Sequence, residues 1–121
     1  MLAEGPAKKV TVFVNEDTQY HLRPLYEAIL AVLLERGVSG ATATRAMAGF
    51  GVHHVMHTPK IELLSEHLPV RIEFLESAEK VEELLPGLCE MVTDGVVEVQ
   101  DTRIVKIARK DRHKDDTARQ H

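Results

Sequence analysis

The short motif with the clearest chemical potential is Gly49-Phe50-Gly51. Two glycines this close together let backbone N–H groups approach an anion, as they do in phosphate-binding turns. The same motif also suits a bend where a strand leaves a sheet. We therefore consider both an anion-binding turn and a simple strand exit at this position.

Three basic side chains could complete an anion site around these glycines. Arg45 comes shortly before the motif, and Arg103 and Lys106 lie on the last predicted strand. Guanidinium and ammonium groups form strong charge-assisted hydrogen bonds with phosphate or carboxylate. Each of them alone is more typical of the polar side of a strand, so we expect a site only where they converge in a cleft between subunits.

A cluster of histidines follows the glycine motif, and its candidate metal ligands are His53 and His57. These two residues share a face if the segment is extended, and neutral imidazoles so placed can bind a transition metal. No cysteine or strong carboxylate pattern nearby completes a tetrahedral set. Solvated loop histidines are the alternative interpretation.

Signatures of catalysis are missing from the sequence. It contains no phosphate-loop lysine motif, no nucleophile elbow and no zinc-protease histidine pair. The only cysteine, Cys89, excludes a disulfide within the chain, and its apolar helical surroundings predict a buried, inert thiol. We expect a protein that binds rather than one that catalyses.

The composition predicts one small globular domain in the cytoplasm. The chain has 121 residues and a net charge of −4, and residues 109–121 hold five basic and three acidic side chains. That tail therefore carries +2 and the body −6, which argues against a nucleic-acid partner because phosphate binding needs a basic surface. The sequence also lacks the ~18 consecutive apolar residues of a membrane span and an apolar signal segment.

The hydrophobic pattern predicts the element order β-α-β-β-α-β. Strands are expected at 10–14, 41–47 and 69–75, and a last strand or pair of strands at 96–99 and 103–107. Helices are expected at 24–36 and from 77 to about 94. Residues 1–8 are predicted to be a flexible N-terminus, 9–108 the folded domain and 109–121 a disordered charged tail.

Particular residues mark the ends of the two helices. Pro24 is expected at the first helical position of the first helix, and Gly37 just after its end. Ser77 is expected to cap the second helix, and Pro86 to interrupt it.

This order defines a ferredoxin-like α+β sandwich, with a four-stranded antiparallel sheet and both helices on one face. The first strand is apolar on both faces, since Phe13 alternates with Val12 and Val14. An apolar open face on a small domain needs a covering surface, so we expect self-association.

Several short motifs follow one another between Tyr20 and Ile107. They are Tyr20-His21-Leu22-Arg23-Pro24-Leu25-Tyr26-Glu27-Ala28, Gly40-Ala41-Thr42, Arg45-Ala46-Met47-Ala48-Gly49-Phe50-Gly51, His57-Thr58, Leu64-Ser65-Glu66-His67-Leu68-Pro69-Val70 and Glu90-Met91-Val92. Through these motifs and their order, the sequence resembles the PII-like bacterial family known as domain of unknown function 190.

The sequence is more distantly similar to the nitrogen-regulatory PII proteins. The similarity implies a PII-like trimer that binds a small anionic effector, such as an adenine nucleotide, between subunits and contacts a partner through the loop 49–67. Where PII proteins carry a phosphate-holding lysine, however, Val96 and Val97 follow Gly95. The resemblance therefore implies AMP, a cyclic nucleotide or ADP rather than tightly bound ATP.

The leading hypothesis is thus a trimeric regulatory protein with ligand contacts from Arg45, Arg103, Lys106 and the glycine motif. Its protein partner could be a membrane transporter or channel. The alternative hypothesis is a protein that binds a divalent metal through His53 and His57.

Overall fold

The computed structural model of the chain describes residues 2–48 and 68–110. Six strands and two helices lie in these two stretches. In chain order they are β1 (Gly5–Asn15), β2 (Gln19–Tyr20), β3 (Arg23–Pro24), α1 (Leu25–Glu35), β4 (Ala41–Arg45), β5 (Pro69–Glu76), α2 (Ala78–Met91) and β6 (Val96–Ile104). Neither helix in this described part is long and apolar enough to cross a membrane.

The main sheet has four strands in the order β4-β5-β1-β6, and every neighbouring pair is antiparallel. The short strands β2 and β3 pair separately as a two-stranded ribbon just before α1. The four long strands and two helices form the predicted ferredoxin-like βαββαβ fold, so the predicted fold class is confirmed.

One hydrophobic core lies between the sheet and the two helices. The alternation of β1 places Val10, Val12 and Val14 in it, while Phe13 faces the other side and is 40% exposed. Each helix contributes one apolar stripe at helical spacing. The stripe residues are Leu25, Ala28, Ile29 and Leu33 in α1 and Val81, Leu84, Leu88 and Met91 in α2. Burial of each large aliphatic side chain contributes roughly 1.5–3 kcal/mol.

Two of the predicted helix ends are confirmed. The Ser77 hydroxyl accepts a hydrogen bond from the Lys80 N–H at 3.2 Å, which caps α2. Gly37 follows α1 with a φ of +78°. Its N–H donates to the Leu34 carbonyl, and the N–H of Val38 donates to the Leu33 carbonyl, the bond pattern of a Schellman motif.

The two prolines behave differently from the prediction. Pro24 is the extended residue before α1 rather than its first helical residue, because the next N–H, of Leu25, donates to the Thr18 carbonyl and ties the helix start to the ribbon. The second helix runs unbroken from Ala78 to Met91 through Pro86. Pro86 and Glu82, whose carbonyl loses its donor, are exposed, so water can satisfy that carbonyl.

The strand bounds differ from the sequence-based ones where pairing decides them. Strand β1 begins at Gly5, so it includes residues 5–8, which were predicted to be flexible. The last strand is one continuous strand to Ile104 rather than two. Both differences have one cause: β1 and β6 pair without interruption from Gly5–Ile104 to Phe13–Val96. Strand β4 ends at Arg45, two residues earlier than predicted.

The open face of the sheet is less apolar than the sequence suggested. Its apolar part centres on Phe13 and its cross-strand partner Val96, which are 40% and 43% exposed. Elsewhere this face carries charged side chains. Oε1 of Glu73 is 3.4 Å from Nζ of Lys9, and Oε2 of Glu73 is 3.7 Å from Nε of Arg71. The open face that the sequence predicted is therefore only partly apolar, with one apolar spot, formed by Phe13 and Val96, beside a network of ion pairs.

Candidate functional site

Arg45 lies at the upper end of the sheet, defined here as the end where β1 and β4 finish and β5 begins. It pairs with Val70, and Val70 in turn pairs with Val14 near the end of β1. The Arg45 side chain is 54% exposed, so its guanidinium can be reached from solvent.

A carboxylate that the sequence did not single out holds this guanidinium. The Nε atom of Arg45 is 2.9 Å from Oε2 of Glu16, the residue that follows β1. Because β5 lies between β1 and β4 in the sheet, this ion pair spans the width of β5. The Oε2 atom is buried and has no hydrogen-bond partner among the residues that the structure describes, so the contact is one of charge without hydrogen-bond alignment.

Backbone hydrogen bonds fix the residues around this ion pair. The Glu16 N–H donates to the Leu68 carbonyl at 2.9 Å, and the Ala46 N–H donates to the Pro69 carbonyl at 2.8 Å. Leu68 is itself buried. Backbone hydrogen bonds therefore fix the positions of Arg45 and Glu16 at the upper end of the sheet.

The remaining predicted residues of the upper end fall outside the described residues. They are Gly49, Phe50, Gly51, His53 and His57, together with the rest of the predicted loop 49–67. Within residues 2–48 and 68–110, no group of three or more His, Cys, Asp and Glu side chains could hold a metal ion.

Arg103 lies at the opposite, lower end of the sheet, and Lys106 comes two residues after the end of β6 rather than on the last strand as predicted. Arg103 pairs with Pro6, whereas Arg45 is level with Val14, eight residues further along β1. The two arginines are therefore separated by about 26 Å along the strands and about 14 Å across three strand spacings. Both side chains are exposed, as is that of Lys106, but one protomer does not bring Arg45 and Arg103 together.

The ribbon of β2 and β3 is a second feature that the sequence did not predict. Its two turn residues, His21 and Leu22, have positive φ values of 49° and 71°, and the Leu22 side chain is completely exposed. The rings of Tyr20 and His21 meet edge to face with centroids 4.3 Å apart. Residues 20–23 contain no Gly, Asn or Asp, so their sequence did not indicate a tight turn.

The thiol of Cys89 is exposed, so the prediction of a buried cysteine is wrong. The buried stripe of α2 passes through Leu88 and Met91. Cys89 directly follows Leu88, about 100° further around the helix axis, and its side chain therefore lies off the buried stripe.

Comparison with solved structures assigns the fold to a class. The chain is similar to CPII, a nitrogen regulatory PII-like protein from Thiomonas intermedia K12, in a structure bound to ADP, AMP and bicarbonate. The two share a TM-score of 0.66 and 22% sequence identity, over 88% of this chain and 94% of CPII. The protein therefore has a PII-like fold.

The family follows from comparison with protein sequences. The model of the DUF190 family (Uncharacterized ACR, COG1993) matches residues 7–104, so the chain belongs to this family, as its motifs predicted. A UPF0166 protein of Aquifex aeolicus is 30% identical over 98 residues, which cover 81% of this chain and 92% of that protein. A UPF0166 protein of Methanocaldococcus jannaschii is 31% identical over 101 residues, 83% and 93% of the two chains.

Proposed function

We propose that this protein is a cytoplasmic, trimeric PII-like regulator that acts by binding rather than by catalysis. Its effector is a small anion of the adenine nucleotide class held between subunits, and its loop 49–67 contacts a partner protein. The observation that carries the proposal is the likeness to CPII, which has been solved with ADP and AMP bound and matches this fold over 88% of the chain.

The positions of the basic residues support a site shared by two subunits. Arg45 and Arg103 lie at opposite ends of one sheet, so one mononucleotide cannot contact both within a protomer. In the proposed trimer, Arg45 and the motif Gly49-Phe50-Gly51 come from one subunit, and Arg103 with Lys106 from its neighbour. Each arginine then offers charge-assisted hydrogen bonds to the anionic part of the ligand.

The residues after the turn at Gly95 support a preference for ligands with few phosphates. Strand β6 begins with Val96 and Val97, of which Val97 packs against the core. Neither side chain can donate to a phosphate. We therefore propose AMP or a cyclic nucleotide as the preferred ligand, with ADP next and ATP weaker.

Isothermal titration calorimetry with AMP, cyclic AMP, ADP and ATP tests both the ligand and its location. AMP is expected to bind more tightly than ATP. Arg45→Ala and Arg103→Ala should each weaken AMP binding by roughly 10- to 100-fold, the effect of losing one charged hydrogen bond. Gly49→Val should also weaken binding, and Arg36→Ala, an exposed arginine at the end of α1, is the control with unchanged affinity.

Two results would contradict the proposal in different ways. Tight ATP binding with no response to AMP would refute the preferred ligand. Unchanged AMP affinity in both the Arg45 and the Arg103 variants would refute the shared site.

A further inference from the structure

We propose that Glu16 is a built-in competitor for the anionic ligand at Arg45. Its carboxylate occupies the charge of the guanidinium in the empty site, and an incoming phosphate has to displace it or overcome its repulsion. The inference rests on the proposed nucleotide site, and it assigns to Glu16 the role of lowering the affinity of that site for its anionic ligand.

The carboxylate of Glu16 occupies the position beside Arg45 that a bound anion would take. Its Oε2 atom is 2.9 Å from Nε of Arg45, as close as a ligand oxygen would come. The more exposed partner is Arg45, at 54% against 23% for Glu16. The guanidinium is therefore open to a ligand from solvent, while the carboxylate stays behind it.

The contact is weak enough to be exchanged. The carboxylate and the guanidinium lack hydrogen-bond alignment, and the buried Oε2 atom has no hydrogen-bond partner within the two described stretches. Partly exposed ion pairs of this kind contribute little to stability. A phosphate can instead accept two parallel N–H bonds from the planar guanidinium, which is a stronger interaction than the one it replaces.

The backbone keeps the competitor in position. Because the Glu16 N–H donates to the Leu68 carbonyl, the carboxylate remains near the guanidinium even when it has been displaced. It then lies beside a bound anion of the same charge, and this repulsion lowers affinity whether the ion pair opens fully or only shifts.

The test is calorimetry with AMP on the full-length wild-type protein and matched variants. Glu16→Gln removes the charge and keeps the shape, and it should tighten AMP binding by roughly three- to tenfold. Glu16→Ala is the second variant, with the same expected direction. Glu82→Gln removes one negative charge from the exposed face of α2 and should leave the affinity unchanged.

A double variant separates competition from a general charge effect. In the Arg45→Ala background, Glu16→Gln should no longer tighten AMP binding to the same extent, because the group being competed for is gone. The gain from Glu16→Gln should also shrink as salt is raised from about 0.01 to 0.15 M, since added ions screen the repulsion.

The outcomes distinguish this inference from the proposed function. If AMP binds the wild type but Glu16→Gln weakens that binding, Glu16 positions Arg45 and does not compete, and the inference is overturned. Unchanged affinity in both Glu16 variants overturns it as well. If AMP binds neither the wild type nor any variant, the proposed function fails and this inference fails with it.

Discussion

At the scale of single residues, the packing around Gly95 leaves no room for a side chain. A Cβ atom there would run into the Phe13 carbonyl oxygen and come within 3.2 Å of methyl groups of Val14 and Val92. The glycine also has a φ of +155°. The turn from α2 into β6 therefore packs directly against the end of β1, near the upper end of the sheet.

Gly95→Ala should therefore lower the free energy of unfolding by about 2–4 kcal/mol, since the backbone of β1 cannot give way as a flexible side chain could. Urea denaturation followed by circular dichroism measures this change. Gly87→Ala is the matched control: an added Cβ meets nothing within 4 Å there, and alanine favours helix α2. Equal stability of the Gly95 variant and the wild type would contradict the packing argument.

At the scale of elements, the ribbon of β2 and β3 holds its turn in an unfavourable conformation. His21 and Leu22 both adopt positive φ values, which side chains with a Cβ atom seldom accept in pairs. Leu22 gains no burial in exchange, because its side chain is completely exposed in the protomer. The turn is therefore a local source of strain that the rest of the fold maintains.

Replacing this pair with the residues that such a turn prefers, His21→Asn with Leu22→Gly, should stabilise the protein by about 1 kcal/mol. For a domain of this size the melting temperature should rise by roughly 3–6 °C in differential scanning calorimetry. Leu34→Gly provides the opposite control, because Leu34 is also exposed but lies in α1, where glycine destabilises. A lower melting temperature for the turn variant would show that the turn is not strained.

The sequence predicted elements wherever a local pattern was enough to define them. The alternation of Val70, Ile72 and Phe74 is sufficient for β5, and the serine cap and apolar stripe are sufficient for α2. The start of β1 could not be found this way, because residues 5–9 have no strand pattern. They are extended through pairing with β6, and Lys8 and Lys9 pair with β5 as well. The tight turn of the ribbon was missed because its residues lack the usual turn chemistry.

The same limit applies to the candidate site. Arg45 was identified from the sequence because it adjoins the glycine motif. Glu16 was not, since 28 residues separate the two and only the order of the strands brings them together across β5. A contact of this kind depends on tertiary structure, which single-sequence patterns do not encode.

At the scale of the whole molecule, the apolar spot of Phe13 and Val96 on the open sheet face is, among the described residues, a surface suited to self-association. The two residues are cross-strand partners on β1 and β6, and the charged residues Lys9, Arg71 and Glu73 lie on the same face. An apolar centre with charged residues around it is typical of protein interfaces.

We expect the wild type to sediment as a trimer, at three times the chain mass of 13.5 kDa. Phe13→Asp should shift it toward the monomer by placing a charge in the apolar centre of the interface. Leu34→Asp, on the exposed side of α1, should leave the mass unchanged. Analytical ultracentrifugation at micromolar concentration decides this, and a wild type at the mass of one chain would contradict the trimer.

The pairing of β1 with β6 also has a consequence for how the protein is made. Gly5 finds its partner only at Ile104, so during translation one edge of the central strand stays unpaired until nearly the whole domain has left the ribosome. Pairings this distant in sequence form slowly, and an open strand edge can pair with another nascent chain. We therefore expect the nascent chain to be most open to wrong pairing before residues 96–104 emerge, and much less so once β6 has closed this edge.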